Sequence, residues 1–241
     1  MVELSITSSG DSAIFIELGN DIKPETIACA GRLVKKINSS QVPGIIEIVP
    51  SYTGMMIYFN PLVICLKDLK TRVENINLGI SSEEKSDFKQ IIEIPVCYDP
   101  EYGLDLDHVA RSNNLSREDV IRLHIERTYL VYMLGFLPGF PYMGGINSEI
   151  ATGRRSKPRL NICAGSVAIT GEQTGIYPVD SPGGWQIIGR TPVKLFDPSR
   201  KPEFLLRAGI FIKFTSIQKD EYMHISGLIE DKKYKPVIKT S

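Results

Sequence analysis

The sequence predicts an α+β protein in two parts: an N-terminal α/β sandwich-like domain over residues 1–88 and a second domain of short strands over 89–241. Three observations predict it. Apolar positions in the first 78 residues switch between strand and helix periods in the order β-β-α-β-β-α, the pattern of a compact α+β unit. Residues 79–90 are polar and bounded by apolar runs on both sides, which places the domain boundary there. Beyond Gly135 the texture changes, since 11 of the 20 glycines fall in residues 135–189, interleaved with short β-like runs. Such punctuation belongs to short strands joined by tight turns, in a barrel or sandwich.

Each element has a local reason. Residues 3–7 and 12–18 read as two strands because the turn formers Ser8-Ser9-Gly10-Asp11 separate β-rich runs. Pro24 suits a first helical turn, and Ile27, Ala30, Gly31, Val34 and Ile37 recur at roughly helical spacing, giving a helix over 24–38. Strands follow at 45–49 and 55–59. A second amphipathic helix over 66–76 puts Leu66, Leu69, Val73 and Ile76 on one face. After a strand at 91–97 comes a short helix near 105–112. A second begins at Ser116, because Ser116-Arg117-Glu118-Asp119 has the form of a capping box, and runs to Glu126. Residues 166–170, 186–188 and 193–196 are β-like, 205–215 adds a further strand pair or strand end, and 229–241 is a lysine-containing tail.

Composition narrows the function. The chain has 241 residues with 42% hydrophobic and 23% charged, enough apolar material for an ordinary core. Lys+Arg 28 balance Asp+Glu 28, so the basic footprint of a nucleic-acid protein is absent. Residues 153–201 are locally cationic, with Arg154, Arg155, Lys157, Arg159, Arg190, Lys194, Arg200 and Lys201 against Glu172, Asp180 and Asp197. The four cysteines are tens of residues apart and lack zinc spacing, so they are expected to be reduced thiols with no metal. No run approaches the ~18 apolar residues of a membrane helix, and no secretory leader opens the chain. A cytoplasmic protein without a membrane partner is expected.

The common catalytic motifs fail. No G-x-x-x-x-G-K-[ST] is present, nor a G-x-G-x-x-G joining strand to helix, so ATP is not held here by a P-loop. No serine sits in G-x-S-x-G, and His108, His124 and His224 form no H-E-x-x-H. No catalytic residue is assigned. His124, on the capped helix, is expected to be a packed core residue. The cationic run Arg154-Arg155-Ser156-Lys157-Pro158-Arg159 is either a solvated loop or an anion site, because guanidinium groups bind planar oxyanions bidentately. Arg190, between Gly189 and Thr191, fits the same idea. Trp185 after Ser181-Pro182-Gly183-Gly184 either packs against the barrel or lines a site.

The run Leu134-Gly135-Phe136-Leu137-Pro138-Gly139-Phe140-Pro141-Tyr142-Met143-Gly144-Gly145 resembles the GF-x-PGF-x-Y-x-GG signature of the allophanate hydrolase subunit 1 family. Similar ordered stretches follow at Ala164-Gly165-Ser166-Val167-Ala168-Ile169, Gln173-Thr174-Gly175-Ile176-Tyr177-Pro178 and Ser181-Pro182-Gly183-Gly184-Trp185. They continue through Ile188-Gly189-Arg190-Thr191-Pro192 to Leu195-Phe196-Asp197-Pro198. The matched region spans 124–215, and Cys163 stands where many relatives carry proline.

The resemblance implies a C-terminal cyclophilin-like β-barrel and a non-autonomous subunit of ATP-dependent 5-oxoprolinase, with 5-oxoprolinase subunits C and A as partners. It also implies inhibition of a sporulation histidine kinase, for which the loop 136–142 would supply hydrophobic anchors. A kinase-binding protein without a catalytic role, or an allophanate/urea-type amide hydrolase subunit, are the alternatives. In the enzyme, ATP activates a stable lactam, and the substrate carries a carboxylate. Arg154, Arg155, Arg159 and Arg190 are expected to hold anions, with polar contacts from Ser166, Gln173, Thr174 and Tyr177 and with Trp185 nearby.

Overall fold

The computed structural model describes residues 4–19, 21, 24–78 and 90–240, which divide into two compact units, Met1–Asp87 and Phe88–Ser241. The polar stretch 79–90 lies outside the described residues except for Gln90. No described helix is long and apolar enough to cross a membrane.

The first unit runs β1 (Ser5–Ser8), β2 (Ala13–Glu17), α1 (Pro24–Ser39), β3 (Ile45–Pro50), β4 (Gly54–Phe59) and α2 (Leu66–Leu78). Its strands form one antiparallel sheet in the order β1-β2-β4-β3. Alternation along β2 and β4 sends Ile14, Ile16, Met55 and Ile57 to one face, where they are fully buried. Leu33 and Ile37 of α1 and Leu69 and Val73 of α2 join them in one core. Each such side chain contributes about 1.5–3 kcal/mol by leaving water.

The second unit contains β5 (Gln90–Cys97), α3 (Leu106–Ser112), α4 (Arg117–Ile125), β6 (Thr128–Leu134), β7 (Pro141–Gly144), β8 (Arg159–Ile162) and β9 (Ser166–Thr170). It continues with β10 (Gln173–Ile176), β11 (Ser181–Gly183), β12 (Gln186–Arg190), β13 (Phe211–Ile217), α5 (Lys219–Glu230) and β14 (Val237–Thr240). Seven strands close into a barrel in the order β12-β9-β10-β7-β6-β13-β5, sealed by a bridge from Arg190 back to Cys97. β5 and β13 run parallel, and the other barrel ladders are antiparallel. β14 lies along residues 90–93 of β5, while β8 and β11 form a separate two-stranded ribbon.

One parity of the strands faces inward. Ile94, Val96, Val131, Val167, Ile169 and Phe214 fill the middle, as side chains do in small barrels. α3 packs on β12 and α4 on β13, adding Leu106, Val109, Val120 and Leu123 to the same core. The capping box is present: the Asp119 N–H donates to Ser116 Oγ at 3.0 Å and the Ser116 N–H to Asp119 Oδ2 at 3.3 Å.

Two expectations are corrected. Residues 193–196 are not a strand, because Pro192 has no N–H for a ladder and the Val193 N–H donates to Thr191 Oγ1 at 3.2 Å. Only an isolated bridge from Phe196 to Phe204 remains there. The strand pair or strand end read over 205–215 is a single strand, Phe211–Ile217, preceded by an irregular stretch with a turn at residues 208–209. The lysine-containing tail holds the end of α5 and, in its described residues, β14.

Candidate functional site: a cationic cleft on the barrel wall

Asp105 is the N-cap of α3, yet its carboxylate does not cap its own helix. Only 3% exposed, it accepts from Arg155 Nη1 at 2.7 Å and from Arg159 Nη1 and Nη2 at 2.7 and 2.8 Å. Its Oδ2 also takes the Ile187 N–H at 2.8 Å, and its own N–H donates to the Ile187 carbonyl at 2.7 Å. One carboxylate thus ties α3 to β8, β12 and the loop before β8. Desolvation pushes the carboxyl upward. The Arg159 and Ile187 hydrogen bonds and the two guanidinium charges outweigh it, holding Asp105 below its usual value. Two cations on one anion leave a net positive charge beside β12.

β12 carries a bulge at Ile188, since Ile187 opposes Ala168 while Gly189 opposes Val167. In a regular strand Ile187 and Arg190, three apart, would face opposite sides; the extra residue turns both to the outer face. Arg190 stands there opposite Ser166, on the bridge that seals the barrel. Its Nε donates to the Ala164 carbonyl at 2.8 Å, and its two Nη nitrogens have no hydrogen-bond partner among the described residues. Gly165, at φ +83°, makes this close approach possible: a Cβ there would sit 2.2 Å from the Thr191 carbonyl oxygen. The result is an open cleft of about 70 Å³ lined by Tyr102, Arg159, Asn161, Cys163, Ser166 and Arg190. Leu104 and Ile187 add apolar wall, and Glu101, paired with Lys219, stands on its margin.

Of the residues singled out in the sequence, Arg159, Ser166 and Arg190 therefore come together. Arg155 joins through Asp105. Arg154 is exposed on the preceding loop, away from the cleft lining, and its charge acts on Tyr142 and Tyr177. Gln173 is half-buried in β10, paired in register with Thr170 and Gly144. Tyr177 and Trp185 are buried in an aromatic cluster around Phe140, with ring centroids 5.1 and 5.4 Å from it. In the loop 136–142 only Phe136 is exposed among the aromatic residues, because Phe140 is buried and Tyr142 half-buried against Trp185.

Thr174 is fully buried and touches no solvent. Its hydroxyl donates to the Ala168 carbonyl at 3.1 Å and so accepts from His124 Nε2 at 3.0 Å, leaving Nδ1 to accept from the Tyr98 hydroxyl at 2.8 Å. Burial drives His124 down to about 3, so the ring is a neutral member of the core, stacked on Phe214 at 4.6 Å. This is the packed histidine expected from the sequence.

Sequence reasoning missed Asp105, taking it only as the start of a helix. The available signal was an acid held between two leucines, of which Leu106 is fully buried and Leu104 exposed on the cleft wall. It also missed Tyr102, and the bulge is invisible without strand partners.

A family model described as carboxyltransferase domain, subdomain C and D, matches residues 4–206. The chain is 40% identical over 235 residues to the B component of 5-oxoprolinase from Bacillus subtilis, covering 92% of this chain and 96% of that protein. It is 38% identical over 207 residues to the corresponding 5-oxoprolinase component of Escherichia coli O157:H7, covering 85% of this chain and 92% of that protein. Among solved structures TTHA0988 superposes with a TM-score of 0.77 at 33% identity, over 86% of this chain and 40% of that one. The ordered glycine-proline motifs that carried the resemblance fall within the matched span. Aligned nearly end to end with B components of 5-oxoprolinase, this chain belongs to the carboxyltransferase domain, subdomain C and D family.

Proposed function

We propose that this chain is the B component of an ATP-dependent 5-oxoprolinase. With the A and C components it converts 5-oxoproline, ATP and water to L-glutamate, ADP and phosphate. The observation that carries this reading is the 40% identity across 96% of the Bacillus subtilis protein of that name. The cleft supports it chemically. 5-Oxoproline is a small ring bearing one carboxylate, and one opening presents guanidinium, hydroxyl, amide and apolar groups. No His, and so no paired nucleophile and imidazole base, lies among its lining residues, which fits a half-site completed by another component. ATP is consumed by the complex, and this chain has no P-loop with which to hold it.

The test is glutamate formation from 5-oxoproline and ATP by the purified A and C components, with and without this chain. Activity is expected only with all three. Equal activity without the chain overturns the reading, and turnover of urea in place of 5-oxoproline redirects it to the urea-type hydrolases. A second reading, binding and inhibition of a sporulation histidine kinase, is favoured by Phe136, which stands 67% exposed between β6 and β7. F136A is expected to weaken kinase capture without changing glutamate formation. Undiminished capture removes Phe136 as the anchor.

A further inference from the structure

We infer that Arg190 is the anchor for a ligand carboxylate, and that Arg155 and Arg159 serve instead to fix the wall on which it stands. The site itself follows from geometry; naming the ligand as 5-oxoproline rests on the reading above.

Four arginines in one cationic stretch look equivalent in sequence, but their hydrogen bonding separates them. Arg159 spends both Nη nitrogens on Asp105, and Arg155 spends one there. Arg154 projects from the loop outside the cleft. Arg190 alone of the four lines the cleft with its whole Nη fork unengaged among the described residues. Its Nε bond to the Ala164 carbonyl fixes the guanidinium plane, so little side-chain entropy is lost on binding. The bulge at Ile188 aims it into the cleft, and such bulges are frequent beside sites where a side chain must be re-aimed. Ser166 opposite it carries a hydroxyl that can donate to the same oxyanion.

The supply of free donors, rather than the net charge, favours a monoanion. Glu101 is paired with Lys219, and Arg155 and Arg159 turn their Nη donors to Asp105, so the cleft offers one free guanidinium fork rather than the several donors a phosphate dianion requires. Tyr102, stacked on Tyr222 at 4.6 Å, and Ile187 give the remainder of a small ring an apolar surface.

The reconstituted three-component complex tests this with R190Q and R190K, R154A serving as control. R190Q is expected to raise the KM for 5-oxoproline about 30-fold or more while the KM for ATP stays put, as loss of a charged hydrogen-bonding group implies. R190K is expected to recover part of the loss, and R154A to behave as wild type. A wild-type complex that turns over alongside R190Q with unchanged KM overturns the inference and leaves the enzyme reading standing.

Cys163 supplies an independent readout in the wild-type protein. It is exposed in the cleft, and Cys65, also exposed, lies in the first unit as an internal control. In the assembled complex without ATP, 5-oxoproline is expected to slow alkylation of Cys163 by iodoacetamide and leave Cys65 unaffected. Equal protection by inorganic phosphate overturns the carboxylate assignment, and no protection by 5-oxoproline overturns the site. This second arm stands even if no glutamate is formed, an outcome that sinks the enzyme reading alone.

Discussion

Asp105 accepts four hydrogen bonds between 2.7 and 2.8 Å, three of them from guanidinium groups, so neutralising it leaves the half-buried Arg155 and Arg159 without their anion. D105N is expected to cost about 2 kcal/mol of unfolding free energy, less than for a fully buried pair because both guanidinium groups keep part of their contact with water. Urea denaturation measures it, and a loss below about 1 kcal/mol would show that the arginines find water instead. His124 gives the chain an acid limit. In the unfolded chain it takes a proton near its ordinary 6.5, whereas in the fold it resists down to about 3. Between those values the unfolded chain binds more protons. Stability therefore falls as pH drops, by up to about 1.4 kcal/mol per unit. Asp105 adds to this further down: its lowered carboxyl stabilises the fold above its ordinary 3.8, and that contribution is lost as pH falls through the folded value. Unfolding free energies at pH 7, 6 and 5 check the histidine part, and a flat profile contradicts a buried neutral ring. At this scale the sequence singled out the arginines as one group, whereas their hydrogen bonding separates them, since the partner of Arg155 and Arg159, Asp105, is some 50 residues away in the chain.

Local elements were legible where their signals are local. The capping box at Ser116 is one such case, with both of its hydrogen bonds formed. S116A is expected to lower stability by about 1 kcal/mol, read as a shift in the thermal midpoint, while S116D is expected to keep most of it. A midpoint unchanged by S116A means that α4 is held by packing alone. α5 escaped notice although Tyr222, Ile225 and Ile229 trace a helical stripe at spacings of three and four. Its charged start, Lys219-Asp220-Glu221, masked the pattern. The false strand at 193–196 has the opposite cause: its apolar residues look β-like, but between Pro192 and Pro198 the stretch keeps only an isolated bridge from Phe196 to Phe204. The bulge in β12 belongs to neither class. It exists only as a mismatch with β9, so it requires the partner strand to be known.

For the molecule as a whole, the sequence indicated two parts and a β-rich second half, because composition and turn density are read without knowing contacts. Closure of the barrel was out of reach: it depends on β5 meeting β13 in parallel and β12 at a single bridge, and periodicity names no partners. β5 is the hub, with β14 shielding the part of its edge that β12 does not reach. Ending the chain after Lys235 is expected to cost on the order of 2 kcal/mol in lost ladder hydrogen bonds. It is also expected to raise light scattering on heating, because an open strand edge recruits other chains. A truncated protein that melts and scatters like the full one shows that β14 is dispensable. The same hub sets a timetable for synthesis. β5 emerges from the ribosome about 120 residues before β13, which at translation rates of roughly 5–20 residues per second is an interval of roughly 6–24 s. Throughout it Ile92, Ile94 and Val96 have no completed barrel to enter, so the nascent second unit keeps this apolar strand unburied until its last barrel strand clears the exit tunnel.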